Sequence, residues 1–351
     1  VVMLVQARVA SRGAVLLSAA LLLGAALRGA SRIRSIVDEA LPAVPTVEIA
    51  PGVHMPMIAL GMGDRQAWIR LNGRAVDTAY TYGDADQQAV LRAVAQSGVP
   101  RSDLFVTTKV PCCPSPIFWC KKAIEPFLGS LPSVGGVAGE EVALTKTLMS
   151  VIDHDVQQLG GPPDLLLIHN SCGSLDDSVA AYKVLEQALA QGKARAIGVS
   201  NFNASEIEAL VARTSILPAF NQCGFAVGRS NMPPRVYDAE RDPLGDAWLK
   251  GGEVATLRKC QALGITYGAY GPLGQTTGVD VLHNSVVVDI AADRGVTPAQ
   301  VGLRWVTQQG IVATTGGSNP VHLADDLRSF DFKLTDEEMR RLAAVPYVSA
   351  G

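Results

Sequence analysis

Ala75-Val-Asp77-Thr-Ala-Tyr-Thr-Tyr82-Gly83, followed further on by Phe105-Val-Thr-Thr-Lys109-Val110, decides how this chain folds. Each stretch is a short apolar run ending in a polar cluster. That is the pattern of a buried parallel strand that delivers side chains at its exposed C-terminal end. Asp77, Tyr82 and Lys109 supply a carboxylate, a phenol and an ammonium. Together these are the parts needed to lower a tyrosine's pKa and let it hand a proton to a substrate. The expectation is that the three meet in space.

Runs of the same kind recur along the chain at Met57–Leu60, Arg74–Asp77, Leu104–Lys109, Asp164–His169, Arg195–Val199, Ala219–Gln222, Ile265–Tyr270 and Ile311–Thr314. Helical stretches lie between them and carry clear start signals. Asn203-x-x-Glu206, Thr297-Pro298-x-Gln300 and Thr335-x-x-Glu338 have capping-box spacing, and Asn319-Pro320 offers an N-cap with proline at the first helical position. Eight strands alternating with helices predict an α/β fold of the (β/α)8 TIM barrel type. An open doubly wound sheet would want a glycine-rich turn after its first strand, and Gly61-Met-Gly63-Asp-Arg-Gln66 lacks the third glycine. Thr46–Met55, with Pro51-Gly52 at its centre, reads as an N-terminal β-hairpin that could plug the barrel floor. Asp64–Gly73 has room for one short helix only, whereas the Pro/Gly/Cys-rich stretch Pro111–Glu140 reads as a long insertion after strand 3, on the face where barrels build their sites.

Composition supports one large core: 48% hydrophobic and 18% charged residues, with mean hydropathy +0.21. Aromatics are only 5%, so Ala, Val and Leu must fill that core. Thirty Lys and Arg against 33 Asp and Glu give −3, and five of the cations are arginines before residue 35; setting these aside leaves 25 against 33, or −8. An acidic body without a basic stripe argues against nucleic acid as a partner. Those arginines flank the apolar run Gly13–Leu27, and no acidic residue precedes Asp38. Residues 1–43 therefore read as a signal- or transit-like leader pointing to the secretory pathway, a plastid or a mitochondrion; without one the protein would be cytoplasmic. Residues 44–351 form the body, and no stable membrane span is expected in the mature protein. Of six cysteines, Cys112, Cys113 and Cys120 cluster; a loop disulfide Cys113–Cys120 would need an oxidising compartment. Cys172, Cys223 and Cys260 read as small buried residues, and no metal-site spacing is present.

Seven ordered motifs over residues 46–347 resemble the aldo-keto reductase family. They are Asp77-Thr-Ala-x-x-Tyr82-Gly, Thr108-Lys109, Leu167-Ile-His169, Gly192-Lys-x-Arg-x-Ile-Gly-Val-Ser200-Asn201-Phe, Asn221-Gln222, Ala269-Tyr270-Gly-Pro-Leu-Gly274 and Gly317-Ser-Asn-Pro320. The resemblance implies an oxidoreductase acting on CH–OH donors, which reduces an aldehyde or ketone with a nicotinamide cofactor. Tyr82 would be the general acid, Lys109 the cation beside it, Asp77 the residue orienting Lys109, and His169 the group that orients the substrate oxygen. Ser200, Asn201 and Gln222 would hold the nicotinamide carboxamide and Tyr270 would stack on its ring. Gly271, Leu273, Gly316, Gly317, Ser318, Asn319 and His322 would line the rest of the cofactor path. A monomer that binds a small carbonyl compound, with no metal, is implied as well.

The chain also departs from that pattern. Where the family carries a lysine and a serine before Ser-Asn-Pro, Gly316 and Gly317 stand here; an arginine is replaced by His322 and an asparagine by Asp326. Losing two cationic contacts to the 2′-phosphate costs about 1.5–3 kcal/mol each. NADPH is expected on family grounds, with NADH open. The Trp-Pro that usually follows the histidine is Asn170-Ser171, which predicts a wider, less apolar pocket. Phe118 and Trp119 in the insertion could lean over it. Two other readings compete: a non-catalytic nicotinamide-binding sensor or scaffold subunit, and a barrel enzyme using Lys109 as a Schiff base.

Overall fold

Eight strands carry the apolar runs, and every one of them is parallel to its neighbours. They are β3 (Ile58–Gly63), β4 (Ala75–Asp77), β5 (Phe105–Val110), β6 (Leu165–Ile168), β7 (Ala196–Ser200), β8 (Phe220–Gly224), β9 (Thr266–Tyr270) and β10 (Val312–Gly317), in a computed structural model. The structure describes residues 41–112, 137–172, 174–231, 251–274 and 278–347. β10 pairs with both β9 and β3, so the sheet closes on itself. The open-sheet alternative is thereby excluded, and closure pairs both edges of the eight-stranded sheet. Each strand begins within one residue or so of its expected run, because a strand buried on both faces must be apolar throughout.

Antiparallel β1 (Thr46–Ala50) and β2 (Val53–Pro56) form the expected hairpin, turning at Gly52 with φ +72. Its Ile49, Val53 and Met55 pack with Ala75, Phe105, Leu165, Phe220 and Val312, residues at the N-terminal ends of the barrel strands. The hairpin thus stops the floor. With few aromatics available, the interior fits large side chains against missing ones. A Cβ at Gly268 would lie 2.3 Å from the Phe220 ring, and one at Gly198 would lie 2.9 Å from Leu167 Cδ2.

The helices follow their start signals. In the short connection after β3, Asp64 caps α1 (Arg65–Arg70), accepting from Ala67 N–H at 2.8 Å. Trp68 of that helix is fully buried and donates to Ala75 O at 2.9 Å; a side chain at Gly73 would collide with its indole at 2.3 Å. Then come α2 (Asp84–Ser97), α3 (Val137–Gln158), α4 (Leu175–Ala190), α5 (Ala204–Val211), α6 (Val254–Leu263), α7 (Ser285–Arg294), α8 (Pro298–Thr307), α9 (Pro320–Leu327) and α10 (Asp336–Ala343). The three capping boxes head α5, α8 and α10, and Asn319 caps α9 ahead of Pro320.

Glu140 lies inside α3, so the insertion is shorter than its composition implied; residues 113–136, including Phe118 and Trp119, lie outside the described residues. The chain divides into two compact units, Val1–Leu41 and Pro42–Gly351. Nearly all of the first, and with it the leader, lies outside the described residues. Among the described residues no helix is long and apolar enough to cross a membrane.

Candidate active site

Strands β4 and β5 run side by side, with Asp77 in register with Thr107, so Asp77 and Lys109 emerge at adjacent strand ends. Lys109 is buried, its Nζ donates to Asp77 Oδ1, and a second bond of 2.9 Å reaches Thr78 O. Burial works against the ammonium, but Asp77, helped by Tyr82, outweighs it and raises the Lys109 pKa above 10.5. A lysine so held is charged and a poor nucleophile, which argues against the Schiff-base reading. Around this pair sit groups that the sequence did not single out. Asp86 accepts from Thr78 Oγ1 at 2.6 Å and is clamped by buried Arg65 at 2.9 Å. Asp77 Oδ2 also accepts from Gln222 Nε2 at 3.0 Å.

Just past β4 the chain makes a tight turn over Tyr80–Tyr82, closed by Tyr82 N–H to Ala79 O at 3.0 Å. Tyr82 as a residue is 42% exposed, and its ring centroid lies 5.3 Å from Lys109 Nζ. The Lys109 charge pulls the phenol down; burial and the carboxylates of Asp77 and Asp86 push it up further, so the net pKa lies above 10. This corrects the expectation that the cluster lowers it. The carboxylate needed to keep Lys109 charged also repels a phenolate.

His169 follows β6 and meets Tyr82 edge-on, ring centroids 5.8 Å apart. Burial first, and the Lys109 charge second, hold its imidazole well below 6.5, so it is neutral at physiological pH. Its Nδ1 lies 3.1 Å from Thr81 Oγ1, and its carbonyl accepts from Asn201 Nδ2 at 3.0 Å.

Asn201 follows β7 in the left-handed region at φ +59, a conformation asparagine tolerates better than most residues. Its Nδ2 also reaches Asn170 Oδ1 and Ser200 Oγ, each at 3.1 Å, while Oδ1 accepts from Tyr270 OH at 2.8 Å. Asn170, standing where the family has tryptophan, is thereby drawn into a polar wall. Ser200 Oγ donates to Gln222 O at 2.8 Å, and Gln222 Nε2 also reaches Thr314 Oγ1 at 3.2 Å.

One cavity of about 630 Å³ collects Asp77, Tyr82, Lys109, His169, Ser200, Asn201, Gln222, Tyr270, Gly271 and Gly316, together with Gly61, Met62, Pro272, Thr314 and Thr315. Asp77, Tyr82, Lys109 and His169 thus share one space with Ser200, Asn201, Gln222 and Tyr270, at the C-terminal strand ends. Leu273, Gly317, Ser318, Asn319 and His322 do not line it. Leu273 instead packs toward α8, where its Cδ2 would lie 3.3 Å from a Cβ at Gly302. Gly317, Ser318, Asn319 and His322 continue beyond Gly316 toward the start of α9, and Ser318, Asn319 and His322 are exposed.

The matching family model is that of the aldo/keto reductase family, over residues 65–346. The chain belongs to the aldo-keto reductase family. An "Aldo-keto reductase" of Mycobacterium sp. is 30% identical over 309 residues, covering 85% of this chain and 90% of that protein. A morphine 6-dehydrogenase of Pseudomonas putida is 29% identical over 317 residues, with 85% and 90% covered. The crystal structure of a Bombyx mori aldo-keto reductase in complex with NADP superposes with a TM-score of 0.64 at 24% identity, covering 87% of this chain and 94% of that one. Membership makes the chain an oxidoreductase of the carbonyl-reducing type.

Within this aldo-keto reductase the fit to a nicotinamide cofactor is uneven. Hydroxyl, amide and phenol groups of Ser200, Asn201, Gln222 and Tyr270 suit a carboxamide, which both donates and accepts. Among the described residues Lys109 is the only cation lining the cavity, and it is committed to Asp77. At Gly316 a Cβ would meet Met62 O at 3.1 Å, so a lysine there would require the β3 end to yield by a few tenths of an ångström. Asp326 is buried, accepts from Thr315 Oγ1 at 2.9 Å, and burial pushes its carboxyl up to about 7.

The cysteine pairing also differs from expectation. Cys112 and Cys172 form a disulfide with Cα atoms 5.3 Å apart, so Cys172 is not a free buried residue. Each lies three residues beyond a site residue, Lys109 and His169, so the bond ties the loops above β5 and β6. Parallel register, with Lys109 opposite Leu167, brings the two loops together, which residue spacing alone could not show. Cys223 and Cys260 are buried thiols as read, while Cys113 and Cys120 lie outside the described residues.

Proposed function

We propose that this protein is an NAD(P)H-dependent reductase that converts an aldehyde or ketone to its alcohol, with Tyr82 as the general acid. The observation that carries the reading is the meeting of Asp77, Tyr82, Lys109 and His169 in one cavity with Ser200, Asn201, Gln222 and Tyr270. A bound nicotinamide would supply a hydride to the carbonyl carbon. The chain's own groups do the rest. Tyr82 carries its proton across the neutral range and can deliver it from Oη to the substrate oxygen. Lys109 stabilises the phenolate left behind, a charge that exists only once the proton has moved, which is where stabilisation accelerates a reaction. Asp77 holds Lys109 charged, and neutral His169 orients the carbonyl oxygen. Ser200, Asn201 and Gln222 would hold the carboxamide, and Tyr270 would lie against the ring.

NADPH is our first choice on family grounds. The missing cations at Gly316 and His322 leave NADH as the alternative, while backbone N–H groups of Gly316, Gly317 and Ser318, next to Asn319 at the α9 cap, are left as phosphate donors. Asn170 and Ser171 in place of a tryptophan wall favour a bulky or polar carbonyl compound. We further propose a monomer, and a leader over residues 1–43 directing it to the secretory pathway or an organelle, supported by the arginine-rich, acid-poor composition there. Size-exclusion chromatography and a fluorescent fusion of those residues test the two.

The decisive assay is residues 44–351 with NADPH or NADH and a panel of aldehydes, ketones and quinones, following loss of cofactor absorbance. Turnover is expected, with a lower KM for NADPH. Cofactor binding without turnover on any substrate would favour the sensor subunit.

A further inference from the structure

Thr81 and Tyr82 are consecutive in the turn that follows β4, and both face His169. Thr81 Oγ1 lies 3.1 Å from His169 Nδ1, and the Tyr82 ring stands edge-on to the imidazole at 75°. The residue is held at its backbone too, where Asn201 Nδ2 donates to its carbonyl at 3.0 Å. Those latter contacts fix where the ring is. The Thr81 contact is made at a ring nitrogen and so bears on where its proton is. A buried imidazole next to the Lys109 ammonium is neutral and carries one ring proton, so the choice of nitrogen decides what it can do. A hydroxyl can donate or accept, and the distance alone allows either. The substrate decides between them: a carbonyl oxygen only accepts, so the imidazole must present an N–H to it.

We propose that Thr81 is a positioning residue for His169. Its hydroxyl donates to Nδ1 and so keeps the ring proton on Nε2, the nitrogen that can donate to a substrate carbonyl oxygen. This rests on the reading of His169 as the group that orients that oxygen. One short turn then supplies both the acid, from Tyr82, and the tautomer of its neighbour, from Thr81. If the hydroxyl accepted from Nδ1–H instead, Nε2 would meet the carbonyl oxygen with a lone pair and repel it.

The test is nitrogen NMR of the full chain labelled at its five histidines, with His169→Asn identifying the His169 signals. The unaltered protein is expected to carry the proton on Nε2, and Thr81→Val to show a mixture of both forms. With a carbonyl substrate, kcat/KM of Thr81→Val should fall about tenfold, the loss of one hydrogen bond, while Thr81→Ser stays within about twofold. A proton on Nδ1 in the unaltered protein overturns the proposal, even if Thr81→Val does not fold. So does Thr81→Ser as impaired as Thr81→Val. Absence of any carbonyl turnover in the unaltered protein refutes the reductase reading instead, and the ring spectrum still judges Thr81.

Discussion

The two ends of the cavity are built on opposite terms. At the β4–β6 end the charges beneath Tyr82 are enclosed and answered: Lys109 by Asp77 and Thr78, Asp77 again by Gln222, and Asp86 by Arg65 and Thr78. At the β10 end the chain runs out through Gly316, Ser318 and His322, all exposed, and among the described residues this end brings no cation to the cavity lining. Buried ions without partners are expensive, so a charged residue at the first end constrains several others. An exposed residue at the second end can change without unsettling the fold. That difference fits a chain that keeps Asp77, Tyr82, Lys109 and His169 together and departs from the family pattern from Gly316 to His322.

Four measurements would break or sharpen this contrast. Tyr82→Phe is expected to cut kcat about a thousandfold, within the range for loss of a general acid, while leaving cofactor affinity within about threefold. Unchanged turnover would dissolve the first end as a catalytic device. Lys109→Met leaves Asp77 as an uncompensated buried charge, so denaturant unfolding should show a loss of about 3–5 kcal/mol. Adding Asp77→Asn should recover part of it; a loss below about 1 kcal/mol in the single variant would mean that the pair is not the constraint described.

The third concerns pH and lies just behind the same end. Asp155 is buried, accepts from Thr108 Oγ1 at 2.8 Å and from Gln87, and burial pushes its carboxyl from 3.8 up to about 7. A carboxyl raised on folding contributes stability that is present below about 3.8 and lost as pH rises through about 7. Asp155→Asn cannot ionise, so thermal melts should show the unaltered protein losing ground to the variant, by a few kcal/mol, as pH rises across that window. Parallel curves would refute it. At the exposed end, His322→Arg restores a cation and is expected to tighten NADPH about tenfold, leaving NADH and kcat nearly unchanged. An equal gain for both cofactors would mean that His322 does not face the 2′-phosphate.

Much of this was legible beforehand because strands buried on both faces have no freedom in composition. All eight runs, the floor hairpin and the three capping boxes stand where periodicity and capping chemistry placed them, and Asp77, Tyr82, Lys109 and His169 do converge. The misses share a cause. Thr81, Asp86, Arg65 and Asn170 matter through partners distant in sequence, and nothing in a lone threonine or asparagine announces such a partner. Leu273 belongs to the same motif as Tyr270 yet turns toward α8, because the loop and not the motif sets its direction. The Cys112–Cys172 bond depended on which loops become neighbours above β5 and β6. The sign of the Tyr82 shift is another such case: residue types predict that a lysine lowers a phenol, and only the tertiary structure weighs it against burial, Asp77 and Asp86.

By itself, the sequence determined the barrel, the strand ends and the residue types gathered there, since local periodicity and the cost of burying polar groups dictate both. The tertiary structure decided which of those groups touch, which nitrogen of His169 meets Thr81, and which way the competing charges resolve. Those outcomes depend on distance and burial, quantities that exist only once the chain has closed on itself.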